Sequence, residues 1–331
     1  MENIIDGIKA EMEKTVPNVQ EQSSGKTNIF TIKTANEVIE EASKRPDPQP
    51  LFDPFWNEGE LCCLFADSNV GKSILAVQIG QNIAATGKKI AYVDCELSNK
   101  QFQKRYTSND GNKFRFSENL YRVYIDPENL INAELSEEYF LSQIEKTLLD
   151  NSIKVLIIDN ITWLCNNSEK GEDAGKFMQR LMKLKLQYEW SILILAHTPK
   201  RPLSNPITQN DLAGSKKLFN FFDSAFSIGK SCQGIDVRYI KQLKVRDGIE
   251  QYGANNVMVC RIVKTDSYLH FEKTGESDER DHLKGSSQSN NSEMKNNVKE
   301  LHEEGKTIRE IAEETGISKS TVGRWVKNDF F

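Results

Sequence analysis

The sequence predicts an α/β protein built on a mostly parallel sheet, with a small all-α unit at the C-terminus. Three observations lead there. Strand-like and helix-like segments alternate from Glu60 to about Phe271. Several of the strands are unbroken apolar runs, as expected for strands covered on both faces. A polar stretch containing GSSQSNNS then separates this region from a short helical pattern over residues 293–331.

Taken in order, residues 1–30 are polar and without sustained periodicity, and read as a mobile arm. Thr34 and Glu37 form a capping-box pattern that opens a short helix ending near Arg45. Pro46, Pro48 and Pro50 enforce an extended approach to the turn Leu51-Phe52-Asp53-Pro54-Phe55-Trp56. Leu61–Phe65 is a strand, followed by a helix whose Leu75, Ile79 and Ile83 share a face and which Gly87 stops. Ile90–Cys95 is a second strand, and a helix spans Ser136–Asp150. Val155–Ile158 is a third strand, ending in Asp159. Phe177, Leu181, Leu184 and Tyr188 line one helix face before the strand Ile192–Ala196. After Pro199 a polar, proline-interrupted loop runs to about Ser215. Strands at Ala225–Ile228, Val237–Val245 and Val257–Val263 complete the domain, with Asp247-Gly248 expected as a hairpin turn. The expected division is an arm (1–30), the α/β domain (31–272), a linker (273–292) and the helical unit (293–331).

The chain has 331 residues, with 43 basic against 48 acidic side chains and a net charge of -5. This excludes a globally cationic nucleic-acid binder, so any such contact must come from a local patch. No apolar stretch approaches the ~20 residues that span a bilayer, and MENIIDGIKAEMEK lacks the pattern of a signal peptide. Six cysteines without CxxC spacing, most of them in apolar runs, read as reduced thiols. The expectation is a soluble cytoplasmic protein with no membrane partner.

The most specific motif is Ala66-Asp67-Ser68-Asn69-Val70-Gly71-Lys72-Ser73, set between an apolar strand and an amphipathic helix. Successive backbone N–H groups in such a turn converge on phosphate oxygens, and the helix N-terminus adds partial positive charge. Gly71 allows close backbone approach, Lys72 reaches the β- and γ-phosphates of ATP, and the Ser73 hydroxyl ligates Mg2+. Ala66 stands where a glycine is usual, and a methyl is tolerated there while φ stays negative. Asp159, at the end of a buried strand, is expected to hold the Mg2+ shell. Glu96, just past the strand Ile90–Cys95, is placed to polarise the water attacking the γ-phosphate. Asp94 competes for that role, but it should share an in-strand face with Tyr92. The alternative for each carboxylate is an ordinary loop cap.

Together, PFWNEGELCCLFADSNVGKS, YVDCE, VLIIDN, ILILAHTPK, DLAGSKKLFNFFDSAFSI and KQLKVRDG follow an order that resembles the RecA-like P-loop NTPases, in particular the ring-forming replicative helicases of the RepA and DnaB type. The resemblance runs from about Pro54 to Val263 and implies a homo-oligomer, a hexameric ring. It implies that His197 is a polar sensor of the γ-phosphate, where a lone histidine after a strand otherwise reads as a structural cap. It implies that the Thr198–Lys217 loop, with Lys200, Arg201, Lys216 and Lys217, touches single-stranded DNA, the alternative being a solvated loop. Lys244 and Arg246, two apart on a strand, project to one side and suit an anion. The resemblance gives them the γ-phosphate of the neighbouring subunit; otherwise they are charges that protect a sheet edge. With no collar-like domain ahead of the core, the pattern points to the minimal RepA-like architecture.

In the C-terminal unit, Thr307-Ile308-Arg309-Glu310 is a capping box, and Ala312, Gly316 and Val322 stand at helix-turn-helix spacing. This unit resembles the helix-turn-helix units of resolvases and phage-like regulators. Ser318, Lys319, Ser320, Arg324 and Lys327 fall on the outward side of the second helix, where they would read duplex DNA. A protein-docking helical tail is the alternative. Two functions follow: an oligomeric, Mg2+-dependent ATPase that moves on or opens DNA during replication, or an ATP-switched regulatory or recombination-accessory protein that does not unwind it.

Overall fold

The computed structural model describes residues 30–126, 136–160, 171–199, 201–212, 216–283, 297–315, 317 and 319–328. The chain divides into two units, one through Asp47 and one from Pro48 onward. In the first, α1 (Ala35–Ala42) opens on the expected capping box: Thr34 Oγ1 accepts from Glu37 N, and Thr34 N donates to Glu37 Oε2. None of its residues is buried.

The second unit is organised on a mixed sheet. Its strands are β3 (Leu61–Ala66), β4 (Ile90–Asp94), β5 (Leu120–Tyr124), β6 (Val155–Asp159), β7 (Ser191–His197), β8 (Ser224–Lys230), β9 (Val237–Lys244), β10 (Val257–Thr265) and β11 (Tyr268–Ser277). A small hairpin of β1 (Pro50–Phe52) and β2 (Trp56–Asn57) precedes them. The order across the sheet is β11-β10-β9-β8-β3-β7-β6-β4-β5. From β8 to β5 the strands are parallel, and β9, β10 and β11 extend the sheet antiparallel.

Alternation along β3 explains why its run is wholly apolar. Leu61, Cys63 and Phe65 face α4 (Glu137–Asp150) and α5 (Gly171–Tyr188), packing with Phe140, Ile144, Phe177 and Leu181. Cys62, Leu64 and Ala66 face α2 (Lys72–Ala85) and the β1–β2 hairpin, packing with Leu75, Ile79, Phe55 and Trp56. Five described cysteines are free thiols, and no described helix is long and apolar enough to cross a membrane.

Two expectations need correction. The linker does not begin at 273: β11 continues to Ser277, a 3-10 turn covers Glu279–His282, and Glu279, His282 and Leu283 are buried. The polar composition there belongs to an edge strand whose outer face meets solvent. Nor does Asp247-Gly248 make a tight hairpin. With Ile240 opposite Met258, the β9–β10 connection is a long loop. Gln242 holds it, its Oε1 accepting from Gln251 N and Tyr252 N at 2.8 Å each.

The short helices α3 (Asn99–Arg105) and α6 (Lys216–Phe219) sit among these elements, and the C-terminal helices are α7 (297–303), α8 (Ile308–Thr315) and α9 (Lys319–Asn328). Val298, Leu301, Ile311, Ala312 and Val322 form their core, with Ile317, Trp325 and Val326 packed against it.

Candidate active site

The loop after β3 reaches α2 through two left-handed residues, Asn69 (φ 61°) and Gly71 (φ 105°), while Ala66 keeps a negative φ. Gly71 is required twice over. A side chain is strained at that φ, and a Cβ would lie 2.9 Å from Ile262 Cδ1 and from the Phe271 ring. The β10–β11 hairpin therefore closes directly on the loop. Gln78 of α2 fastens it, donating to Phe271 O at 2.9 Å and accepting from Phe271 N at 2.8 Å. The buried Arg238 Nε donates to Val70 O at 2.9 Å. Lys72 is buried at the start of α2, and its Nζ donates to Ala66 O (2.8 Å) and Asp67 O (3.0 Å) and meets His197 Nδ1 (3.1 Å). Burial lowers its pKa, against the opposing pull of Asp159, Glu96 and Asp67.

The carboxylates divide into supports and site groups. Asp94 is a support: Arg122 of β5 pairs with its Oδ2, while Oδ1 accepts from Glu96 N (3.1 Å) and Leu97 N (2.9 Å). That fixes the turn which presents Glu96, and α3 (Asn99–Arg105) starts behind it on a Ser98 cap. Asp159 is 1% exposed, accepts from Tyr92 Oη at 2.6 Å and bonds the Ser73 side chain. Burial pushes its pKa up to about 6.

Asn160, which the sequence reading passed over, donates to Glu96 Oε1 and lies 2.9 Å from His197 Nε2. An ammonium and an amide NH2 can only donate, so the His197 ring stands between two donors, Lys72 at Nδ1 and Asn160 at Nε2, with Glu96 Oε1 3.5 Å from Nε2. His197 foremost, with Lys72 and Asn160 aiding, holds Glu96 below the usual carboxylate range. Lys72, His197, Asn160 and Glu96 thus form one chain of polar contacts at the carboxyl edge of the sheet.

Lys72, His197 and Glu96 line a cleft of about 540 Å3, together with Ser68, Asn69, Ser73, Arg105 and Ile262. Arg105 was also missed, because nothing marks an arginine at a helix end as part of a distant cleft. The cleft suits a magnesium nucleotide. Its cradle excludes a Cβ, its lysine is buried, and a hydroxyl and a buried carboxylate offer oxygen donors side by side.

Lys244 and Arg246 lie elsewhere. Lys244 pairs in register with Ala225, at the start of β8, whereas Arg238 pairs with Lys230 at its end. The pair is therefore about 20 Å from the cradle along the strand. Lys244 Nζ donates to Phe219 O (3.1 Å) at the end of α6 (Lys216–Phe219), and Arg246 bonds Asp223 Oδ1 at 2.7 Å. Val245, between them, is half-buried.

The Arg201 side chain is only 8% exposed, drawn inward by Asp67 and by Asn205 O. Lys200 and Ser318 lie outside the described residues, as do the side chains of Lys216, Lys217, Ser320, Arg324 and Lys327. Lys319 is exposed on α9. The acids of α8 are engaged locally: Glu310 caps Thr307, Glu313 meets Arg309 and Glu314 meets Lys306.

A mostly parallel sheet with a glycine-hinged phosphate cradle, a serine opening the next helix and a buried aspartate at the end of β6 defines a P-loop ATPase domain. The family match agrees: residues 30–202, more than half of the chain, match the AAA domain, and the protein belongs to that family. Residues 288–326 match the helix-turn-helix domain of resolvase. The chain is also similar to the DNA repair protein RadA of Campylobacter jejuni, at 30% identity over 149 residues, which is 43% of this chain and 29% of RadA. It thus spans less than a third of that relative.

Proposed function

We propose that the protein is a Mg2+-dependent ATP hydrolase that acts on DNA as a ring-shaped homo-oligomer, a helicase or translocase of the RepA type serving a replicating or mobile element. The observation that carries this reading is the separation of two half-sites. The cradle, Glu96 and His197 stand at one edge of the sheet, and the Lys244/Arg246 pair stands at the other. A cation that far from its own cradle serves a phosphate only in a neighbouring copy.

In this mechanism the loop 66–73 binds the phosphates through backbone N–H groups, and Lys72 Nζ exchanges its carbonyl partners for phosphate oxygen. Ser73 and Asp159 would hold Mg2+, which would supply positive charge against the phosphates. Glu96 Oε1, kept ionised and oriented by Asn160 and His197, accepts the proton of the attacking water. Arg246 of the adjoining protomer stabilises the charge that develops on the transferred group. RadA is named for DNA repair, and the resolvase-type unit supports duplex contact through Lys319, Ser320, Arg324 and Lys327. That unit also favours a second reading, since duplex recognition is superfluous for a motor on single strands. In that reading the ATPase switches a DNA-bound regulatory assembly without unwinding.

A forked-duplex displacement assay with ATP separates the two. Displacement by the wild type, lost in both Lys72→Ala and Arg246→Ala and partly restored when these variants are mixed, supports the motor. ATP-dependent DNA binding without displacement supports the switch. Turnover that stays at the mutants' own level on mixing removes the role in trans.

A further inference from the structure

The cradle uses the backbone of Asp67, and its side chain is turned the other way, onto the loop after β7. Thr198 Oγ1 donates to Asp67 Oδ1, and Arg201 Nε lies 3.6 Å from Asp67 Oδ2. Thr198 N donates to Ala66 O at 3.2 Å. The carbonyls of Ala66 and Asp67 are also those that accept from Lys72 Nζ. Lys72 and the loop therefore hang on one dipeptide.

The far end of this stretch is clamped differently. Glu279 Oε1 accepts from Ile207 N at 2.7 Å, and Lys241 Nζ donates to Ile207 O at 2.9 Å and to Glu279 Oε2 at 2.6 Å. Tyr239 joins the clamps, bonding Arg201 and, at 3.3 Å, Glu279 Oε1. Between them, residues 202–206 are exposed. The clamps are unequal. Lys241 and Glu279 are 9% and 2% exposed and closely bonded, so separating them strands a buried charge. Asp67 is 24% exposed and holds Arg201 by charge at 3.6 Å. The Asp67 contact is the weaker of the two.

We propose that Asp67 is a latch: its carboxylate withholds the Arg201 guanidinium from nucleic-acid phosphate, and movement of the cradle releases it, so that loading at Lys72 and the loop's affinity for a single strand are coupled. Carboxylate and phosphodiester compete for the same fork of donors. Asp67 is a positioning residue and touches no reacting atom. The proposal rests on the reading that the loop meets single-stranded nucleic acid.

The test uses the full-length protein, a fluorescent oligo-dT and anisotropy titrations at several salt concentrations, without nucleotide and then with a magnesium complex of a non-hydrolysable ATP analogue. Without nucleotide, Asp67→Asn binds about 5-fold tighter than wild type, and its salt slope is steeper by about 0.7, one added phosphate contact. The analogue then changes its affinity far less than it changes that of the wild type. Adding Arg201→Ala abolishes the gain, and Thr198→Val, which cuts only the hydroxyl arm, gives a smaller one and serves if Asp67→Asn does not fold. Equal affinity and slope in wild type, Asp67→Asn and Thr198→Val overturn the latch and leave the loop reading intact. A gain that survives Arg201→Ala overturns it too. A wild type that does not bind the oligonucleotide at any salt concentration sinks the loop reading itself, and the latch with it.

Discussion

Two buried aspartates stand at opposite edges of the same sheet, and their partners differ in kind. Asp223, just ahead of β8, receives Lys185 and Arg246, and its Oδ2 also accepts from Leu61 N at 2.9 Å. Asp159, at the end of β6, receives hydroxyls, from Tyr92 and Ser73. At the amino edge the carboxylate is matched by cations of its own chain. At the carboxyl edge the bonded groups are neutral, and burial leaves the carboxyl with a pKa of about 6. A buried carboxylate whose bonded partners are neutral is suited to a metal cation, whereas one already paired is suited to holding strands together.

The sharpest way to break this contrast is Arg246→Ala. If the guanidinium serves a neighbour's phosphate, turnover falls about 10³-fold. The melting temperature should barely move, because Arg246 is 55% exposed and Lys185 still satisfies Asp223. A lowered melting temperature with unchanged turnover per folded molecule would make Arg246 a structural partner only. The reverse applies to Asp223→Asn. It leaves Lys185, 13% exposed, without its carboxylate and should cost about 3 kcal/mol in a denaturant titration. A loss below about 1 kcal/mol would show that Asp223 holds little.

At the other edge, Glu96→Gln keeps the shape of the side chain and removes the proton acceptor, so single-turnover hydrolysis should slow at least about 10²-fold while nucleotide binding persists. Asp94→Asn is the control. It weakens the Arg122 pair and should lower the melting temperature, confirming that the two neighbouring acids do different work. An Asp94→Asn variant that is fully stable and catalytically dead would exchange their roles.

Much of the carboxyl edge was legible because its residues lie within contiguous motifs. Strand β3, the cradle and α2 are consecutive, and Asp159 closes an apolar run. Asp94 and Glu96 were separable because the strand ends between them, Asp94 closing β4 and Glu96 lying past it. What stayed hidden depends on pairing between distant segments. β5 and β11 are edge strands of mixed polarity, so their half-exposed sequences resemble loops. Asn160 was next to a recognised motif, but its contact with Glu96 is set by the adjacency of β4 and β6. Arg201 looked like a free cation because its partner lies 134 positions away, as the numbering of Asp67 shows. Local charge counts cannot reveal a partner across the fold.

The smallest expected effect tests the metal side of the contrast. Asp159 has its folded pKa raised from 3.8 to about 6, so its contribution to stability is complete below about pH 4 and is lost as the pH rises through 6. At neutral pH the ionised group therefore strains the fold, by up to about 3 kcal/mol for a difference of this size. Asp159→Asn removes the charge and retains a group that can bond Tyr92 and Ser73. In metal-free buffer it should melt a few degrees above wild type at pH 7.5, with the gap closing toward pH 4.5, while Mg2+ no longer strengthens nucleotide binding. A variant that melts lower than wild type at pH 7.5 would mean that Asp159 is as well compensated as Asp223, and the two edges would then be alike.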